Sequence, residues 1–284
     1  MKCPHCEVSL TSHLNGILVC HYCGHTISMP KQCPACGSHY MAAFGIGTQK
    51  VETMVKKEFS NAKVLRMDLD TTKAKGGHEK ILTSFANGEA DILIGTQMIV
   101  KGHDFPNVTL VGVLAADLSL FSGDYHASER TFQLLTQAVG RAGRSSLKGD
   151  AVIQTYQPEH YGIITAAKQD YENFYHQEIL YRNLLGYPPV YEMLSVHVFS
   201  KSPEEAKRLA EWIGNFVETL PDKTDLQKIG PADAQISKVK DIYHKIIHLK
   251  HKNHDILVSI KNKIERLMKE EGLLKKATVQ FDFN

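Results

Sequence analysis

All six cysteines of this 284-residue chain fall between Cys3 and Cys36, in three Cys-x-x-Cys pairs. Cys3-Pro-His-Cys6 and Cys20-His-Tyr-Cys23 are thirteen residues apart. A two-residue gap lets both thiolates of a pair face one ion, and two pairs supply the four tetrahedral ligands of a structural zinc. The competing reading is a set of redox or incidental thiols. A disulfide framework fits poorly, because disulfides are spread over the fold they staple and these cysteines cluster at one end. Cys33-Pro-Ala-Cys36 is a third pair without a fourth. His39 or His25 only partly makes up the deficit, so the pair reads as half of a second zinc site whose other half lies upstream, or as free thiols. His5, His13, His21 and His25, interleaved here, are given no ligand role.

A second constellation suits polyphosphate. The apolar stretch from Asp91 runs into Gly95-Thr96 and then into Lys101-Gly-His-Asp-Phe-Pro106. Small and polar groups thus gather at a strand's carboxyl end, where open α/β sheets bind ligands. Thr96 can offer a hydroxyl and an amide to a phosphate, and Asp104 can accept from a ribose hydroxyl. Taken alone, such a turn is commonly structural. Downstream, Gln137-Ala-Val-Gly-Arg-Ala-Gly-Arg144 closes an expected helix, with Arg141 and Arg144 three residues apart on one helical face. Two guanidiniums so placed can clamp a polyphosphate and stabilise charge on a transferring γ-phosphoryl group. The bland alternative is a pair of arginines capping a solvated helix.

Between Lys238 and Lys263, seven lysines face only Asp241 and Asp255, a local net charge of +5. His244, His248, His251 and His254 are expected to add partial charge. Lys245, Lys250 and Lys252 are the candidate contacts to DNA phosphates, which such a surface neutralises without reading sequence. An ordinary solvated strand face is the alternative. The whole chain carries only 33 − 31 = +2, with a pI near 8.1, too mild by itself to imply a nucleic-acid partner.

These groups need elements to hold them. At roughly 100–200 residues per domain the length suits about two domains, and 43% hydrophobic with 23% charged residues is ordinary for a globular chain. Helices are expected over 51–59, 79–86, 128–142 and 172–185, and strands over 63–67, 91–94, 108–115 and 151–156; alternation of this kind implies a mostly parallel sheet. Pro188-Pro189 after Gly186 marks a boundary. Strand 192–199, helix 203–219, strand 243–250, helix 255–271 and strand 278–283 then suit a small α+β domain. The expected organisation is a cysteine module over 1–41, an α/β lobe over 42–189 and the α+β domain over 190–284. The aromatics Phe121, Tyr125 and Phe132, with Met98 and Met193, read as packing. No signal segment is visible and no apolar run approaches the roughly 20 residues of a membrane span, so a soluble, cytoplasmic protein without a membrane partner is expected.

The two polyphosphate motifs resemble motifs V and VI of superfamily 2 helicases, in their second RecA-like lobe. Together with the cysteine pairs, Gly47-Thr-Gln-Lys50, Ile94 to Phe105, Gln137 to Arg144, Gly186-Tyr-Pro-Pro189 and Gly230-Pro-Ala-Asp-Ala234 look like the primosomal replication-restart helicases of the PriA family. The resemblance implies an ATP-dependent, magnesium-using helicase that unwinds forked or single-stranded DNA 3′-to-5′ at stalled forks. Primosome proteins and single-stranded-DNA-binding protein are the implied partners. It implies Gly102, Asp104, Gln137, Arg141 and Arg144 at the nucleotide, the two arginines being catalytic, with Thr96 and Lys101 at DNA. It also implies that Cys3, Cys6, Cys20 and Cys23 form a complete zinc site, and that Cys33 and Cys36 are half of another.

One departure matters. A P-loop needs Gly-Lys-Ser/Thr, and the sequence has no Gly-Lys dipeptide; it also lacks any Asp-Glu dipeptide to hold magnesium. The chain therefore reads as the carboxyl-terminal portion of such a helicase, using ATP and magnesium only with a first lobe and unable to hydrolyse ATP alone. A reading of another class is a zinc-containing scaffold that binds DNA and docks proteins without ATP.

Overall fold

A computed structural model describes residues 1–13, 16–39, 47–68, 70–72, 76–99, 105–143, 148–221 and 224–284. Two compact units emerge: Phe44–Glu178, and Met1–Ala43 together with Ile179–Asn284. In the second of these, the amino-terminal residues form a small antiparallel sheet of β1 (Thr11–Ser12), β2 (Ile17–Val19) and β3 (Thr26–Ser28), in that order. Few apolar side chains are available to it. Its packed centre consists of Cys3, Cys6 and Cys20, with Val8, Leu10, Cys23 and Val239 around them.

The other unit contains α1 (Thr48–Glu58), β4 (Val64–Met67), α2 (Gly77–Ala86), β5 (Ile92–Gly95), β6 (Leu110–Val113), α3 (Ala127–Val139), β7 (Asp150–Ile153) and α4 (Tyr161–Lys168). β4 pairs with β5 and β6 with β7, both parallel, as alternating strands and helices require. On α3, Ala127, Thr131, Leu135 and Ala138 recur at helical spacing and are buried, giving the helix one apolar face. That face helps build the core of Phe132, Leu135, Ile163, Ala166 and Phe174. Helix α4 was not expected. Gly162 and three β-branched residues in its eight give it poor intrinsic propensity, but Ile163 and Ala166 are buried against α3 and override it. Helix α5 (Tyr171–Leu185) runs from this unit into the other and stops before Gly186, at φ +66°.

The carboxyl-terminal strands and helices are β8 (Glu192–Ser200), α6 (Pro203–Thr219), β9 (Gln227–Val239), β10 (Ile242–His251), α7 (His254–Glu270) and β11 (Ala277–Phe283). The strands form one antiparallel sheet in the order β11-β8-β10-β9. Leu194, Val196, Val198, Ile247 and Leu249 on one face share a core with Leu209, Ile213 and Val217 of α6 and Leu257, Ile260 and Ile264 of α7. Both helices start on side-chain caps: Ser202 accepts from the Glu205 amide, Asn253 from the Asp255 amide. Strand β9 was unexpected. It carries Gly230-Pro231, but β9 lies at the sheet edge, where a missing proline N–H is tolerated, and its register against β10 shifts twice. Gly230 sits at φ +95°, where a Cβ would stand 2.7 Å from the Ile246 carbonyl oxygen.

Candidate functional site

The four sulfurs of Cys3, Cys6, Cys20 and Cys23 lie within 4.8 Å of one another, with those of Cys3 and Cys23 3.6 Å apart. Tetrahedral Zn–S bonds of about 2.3 Å place sulfurs about 3.8 Å apart, so the donor set fits zinc. Backbone turns aim the thiols: the Cys3 amide donates to the Val8 carbonyl, the Cys20 amide to His25, and the Gly24 amide back to Cys20. Burial pushes the Cys20 thiol up, but the Cys23 and Tyr22 amides outweigh it and bring it down to about 7. Cys33 makes a similar turn, accepting from the Gly37 amide, and the Ala35 and Cys36 amides hold its thiol below the ordinary value. Among the described residues no third ligating side chain joins Cys33 and Cys36.

In the α/β unit, Thr96 is exposed just beyond the carboxyl end of β5. Gly95 before it must be glycine, because a Cβ would stand 2.7 Å from the Met67 carbonyl oxygen. Lys101, Gly102, Asp104 and Arg144 lie outside the described residues. Gln137 is exposed on α3. Arg141 corrects the sequence reading: α3 ends at Val139, not 142, and Arg141 lies on the turn that follows, with Gly143 at φ +71°. Arg141 is therefore not on α3, and the face expected to be shared with Arg144 lies outside the described residues. The turn is nevertheless fixed. The Gly143 amide donates to the Val108 carbonyl at 3.0 Å, which brings the turn after α3 beside the residues that lead into β6. Gly149 packs flush on the Ala142–Gly143 backbone, leaving no room for a Cβ.

Sequence reasoning overlooked Asp117. It is buried and accepts from the Thr155 hydroxyl at 2.6 Å and the Tyr156 and Gln157 amides at 3.0 and 3.2 Å, tying together the segments that follow β6 and β7. The Thr155 hydrogen bond above all holds its carboxyl below the usual range.

The lysine cluster of the carboxyl-terminal sheet is less cationic than its composition. Lys250 is 2% exposed; its Nζ donates to the Leu185 carbonyl at 3.0 Å and lies 3.4 Å from the centroid of the Tyr187 ring. It cannot reach a phosphate, which corrects its expected DNA role. Lys245 is half-buried and ion-paired with Asp233 at 2.7 Å. Lys252 is exposed, 5.3 Å over the Tyr191 ring. The expected histidine charge is also reduced: burial pushes His244 down to about 4 and lowers His248. Lys250→Ala is therefore expected to lower the thermal midpoint while leaving the salt dependence of DNA binding unchanged. Losing a true phosphate contact instead reduces the log–log salt slope by about 0.9, so fluorescence anisotropy at several salt concentrations separates the two.

Parallel βα units, with small residues at a strand end and an arginine on the turn after α3, define the class as a helicase motor lobe; residues 40–146 match the helicase conserved C-terminal domain. Residues 3–27 match the PriA DNA helicase Cys-rich region and 183–284 the primosomal protein N C-terminal domain. The chain belongs to the PriA family. It is 45% identical over 284 residues to replication restart protein PriA of Bacillus subtilis, covering all of this chain and 35% of that protein. The Synechocystis protein of the same name is 42% identical over 86% of this chain and 30% of its own length. That of Chlamydia trachomatis is 40% identical over 94% and 36%. The chain thus spans about a third of the length of these relatives. Among the described residues no helix is long and apolar enough to cross a membrane.

Proposed function

We propose that this chain supplies the second motor lobe, the cysteine module and the carboxyl-terminal domain of an ATP-dependent 3′-to-5′ DNA helicase. That helicase acts in the cytoplasm, assembling a primosome at stalled forks with primosome proteins and single-stranded-DNA-binding protein. The observation that carries the reading is the Gly143–Val108 hydrogen bond inside the helicase match, which fixes the Arg141 turn against the residues that lead into β6 and so supports a held, not a free, arginine turn. In this reading Gly102, Asp104, Gln137, Arg141 and Arg144 face ATP and its magnesium when a first lobe is present. Thr96, Lys101, Lys245 and Lys252 contact the backbone of forked or single-stranded DNA. Zinc occupies the four-cysteine site, and Cys33 with Cys36 supplies half of a second one. With no Gly-Lys and no Asp-Glu dipeptide, the chain alone hydrolyses no ATP.

Adding the P-loop-bearing lobe of a PriA relative and measuring DNA-stimulated ATP hydrolysis tests this. Restored turnover that Arg144→Ala reduces by about 10³-fold, the low end for an arginine acting on a γ-phosphoryl group, is the expected result. DNA binding with no rescue would overturn it in favour of an ATP-independent scaffold. That second reading draws on one fact: the cysteine module packs with the carboxyl-terminal sheet in one compact unit.

A further inference from the structure

The turn between β9 and β10 ends on the cysteine cluster. Val239 pairs with Ile242, leaving Lys240 and Asp241 as a two-residue connection at φ +51° and +60°. Successive left-handed residues match the twist of a hairpin, and a glycine ordinarily supplies one of them. Here neither is glycine, so the surroundings must hold the conformation. The first cysteine pair provides the hold. The Glu7 amide donates to the Lys238 carbonyl at 3.0 Å, the Asp241 amide to the His5 carbonyl at 2.9 Å, and Lys238 Nζ to the Pro4 carbonyl at 2.8 Å. His5 Nδ1 lies 2.8 Å from Asp241 Oδ2, and Val239 packs on the cysteines themselves.

Within that frame the Lys240 amide donates to Cys6 Sγ at 3.3 Å. The amides that favour the thiolates of Cys3 (those of His5 and Cys6), Cys20 (Cys23 and Tyr22) and Cys23 (His25) all belong to the module itself. The backbone amide that serves Cys6 comes from the hairpin, 234 residues away in sequence. Hydrogen bonds from outside the first shell orient metal-bound ligands and tune their donation.

We propose that the β9–β10 turn is an outer partner of the zinc site: the Lys240 amide serves the Cys6 thiolate, so that metal binding and hairpin docking are one linked event. The inference rests on zinc occupying the four-cysteine cluster. Linkage is reciprocal: whatever zinc contributes to docking, the docked turn contributes to zinc affinity.

The test begins with zinc stoichiometry by elemental analysis, then follows amide hydrogen exchange on the whole chain with zinc and after chelation under reducing conditions. The amides of Glu7, Lys240 and Asp241 are expected to lose protection together on chelation, while those of Leu209–Val217 in α6 stay protected. Lys240→Pro removes the N–H and cannot take the positive φ; Lys240→Gly keeps both. Chelator competition is expected to show at least about tenfold weaker zinc binding in Lys240→Pro and about the parent affinity in Lys240→Gly, in line with the 10–100-fold losses that outer-shell changes produce. Exchange at the turn that ignores chelation, or a Lys240→Pro chain that binds zinc as tightly as the parent, overturns the inference while leaving the zinc site intact. A parent chain that takes up no zinc overturns the zinc reading and the inference with it.

Discussion

Cys20→Ser is expected to strip the chain of the zinc that the parent retains through dialysis. Structural zinc in small modules binds with about 10–16 kcal/mol, shared among four ligands. Losing a quarter of that, about 2.5–4 kcal/mol, weakens binding about 10²- to 10³-fold, at about 1.4 kcal/mol per decade. The effect on folding is as large, because the three buried cysteines are themselves the packed centre of the module. A thiol titration reads the same event independently. In the zinc-loaded parent, Cys33 and Cys36 are the two reactive thiols, since they lie outside the four-sulfur cluster. In Cys20→Ser all five remaining thiols react. A variant that keeps its zinc and shows only two reactive thiols would mean that the four-sulfur cluster is not the metal site.

Ile247→Ala is expected to be the most damaging single change in the carboxyl-terminal sheet. Ile247 is fully buried on β10, an interior strand, and its side chain shares the core built by α6 and α7. Cutting isoleucine to alanine in such a place costs about 2–5 kcal/mol, through lost transfer energy and the cavity left behind. For a domain of this size each kcal/mol shifts the midpoint by about 4–8 °C, so a drop of roughly 10–40 °C is expected in thermal unfolding followed by circular dichroism. Ile229→Ala provides the contrast: the same truncation at a 46% exposed position on the edge strand β9 is expected to change stability by less than about 0.5 kcal/mol. Equal midpoints for the two variants would contradict the packing described for β10.

What the sequence made legible was local. Helix α6 announces itself with Ser202 as cap, Pro203 at its first position and buried residues recurring at 206, 209, 210, 213 and 217, and its ends match expectation. The cysteine pairs announce a metal site because two-residue spacing is itself the geometry. Reasoning failed where the decisive contact was distant or the breaker ambiguous. Gly230-Pro231 hides β9, because a proline inside a strand is tolerated at a sheet edge, and edges are not visible in one strand's own sequence. Gly140 and Gly143 looked like part of a helical arginine motif, but they end α3 and put Arg141 on a turn. Lys250 sits in the strand as a solvated lysine would; only the end of α5 and the residues after it, bringing Leu185 and Tyr187 over it, remove it from water. Nothing in Lys240-Asp241 hints that a cysteine pair lies against it.

That last contact sets an order of events during synthesis. At about 5–20 residues per second, the 234 residues between Pro4 and Lys238 take roughly 12–47 s to translate. For most of that interval the first cysteine pair is outside the ribosome while the hairpin that completes its surroundings does not yet exist. The thiols must spend it either already gripping metal or open to oxidation. Once the hairpin arrives, closing so long a loop makes docking a late step, after local elements such as α6 and α7 can form. A shortage of metal during growth is therefore felt before the chain is finished, as misassembled newly made protein more than as damage to protein already folded.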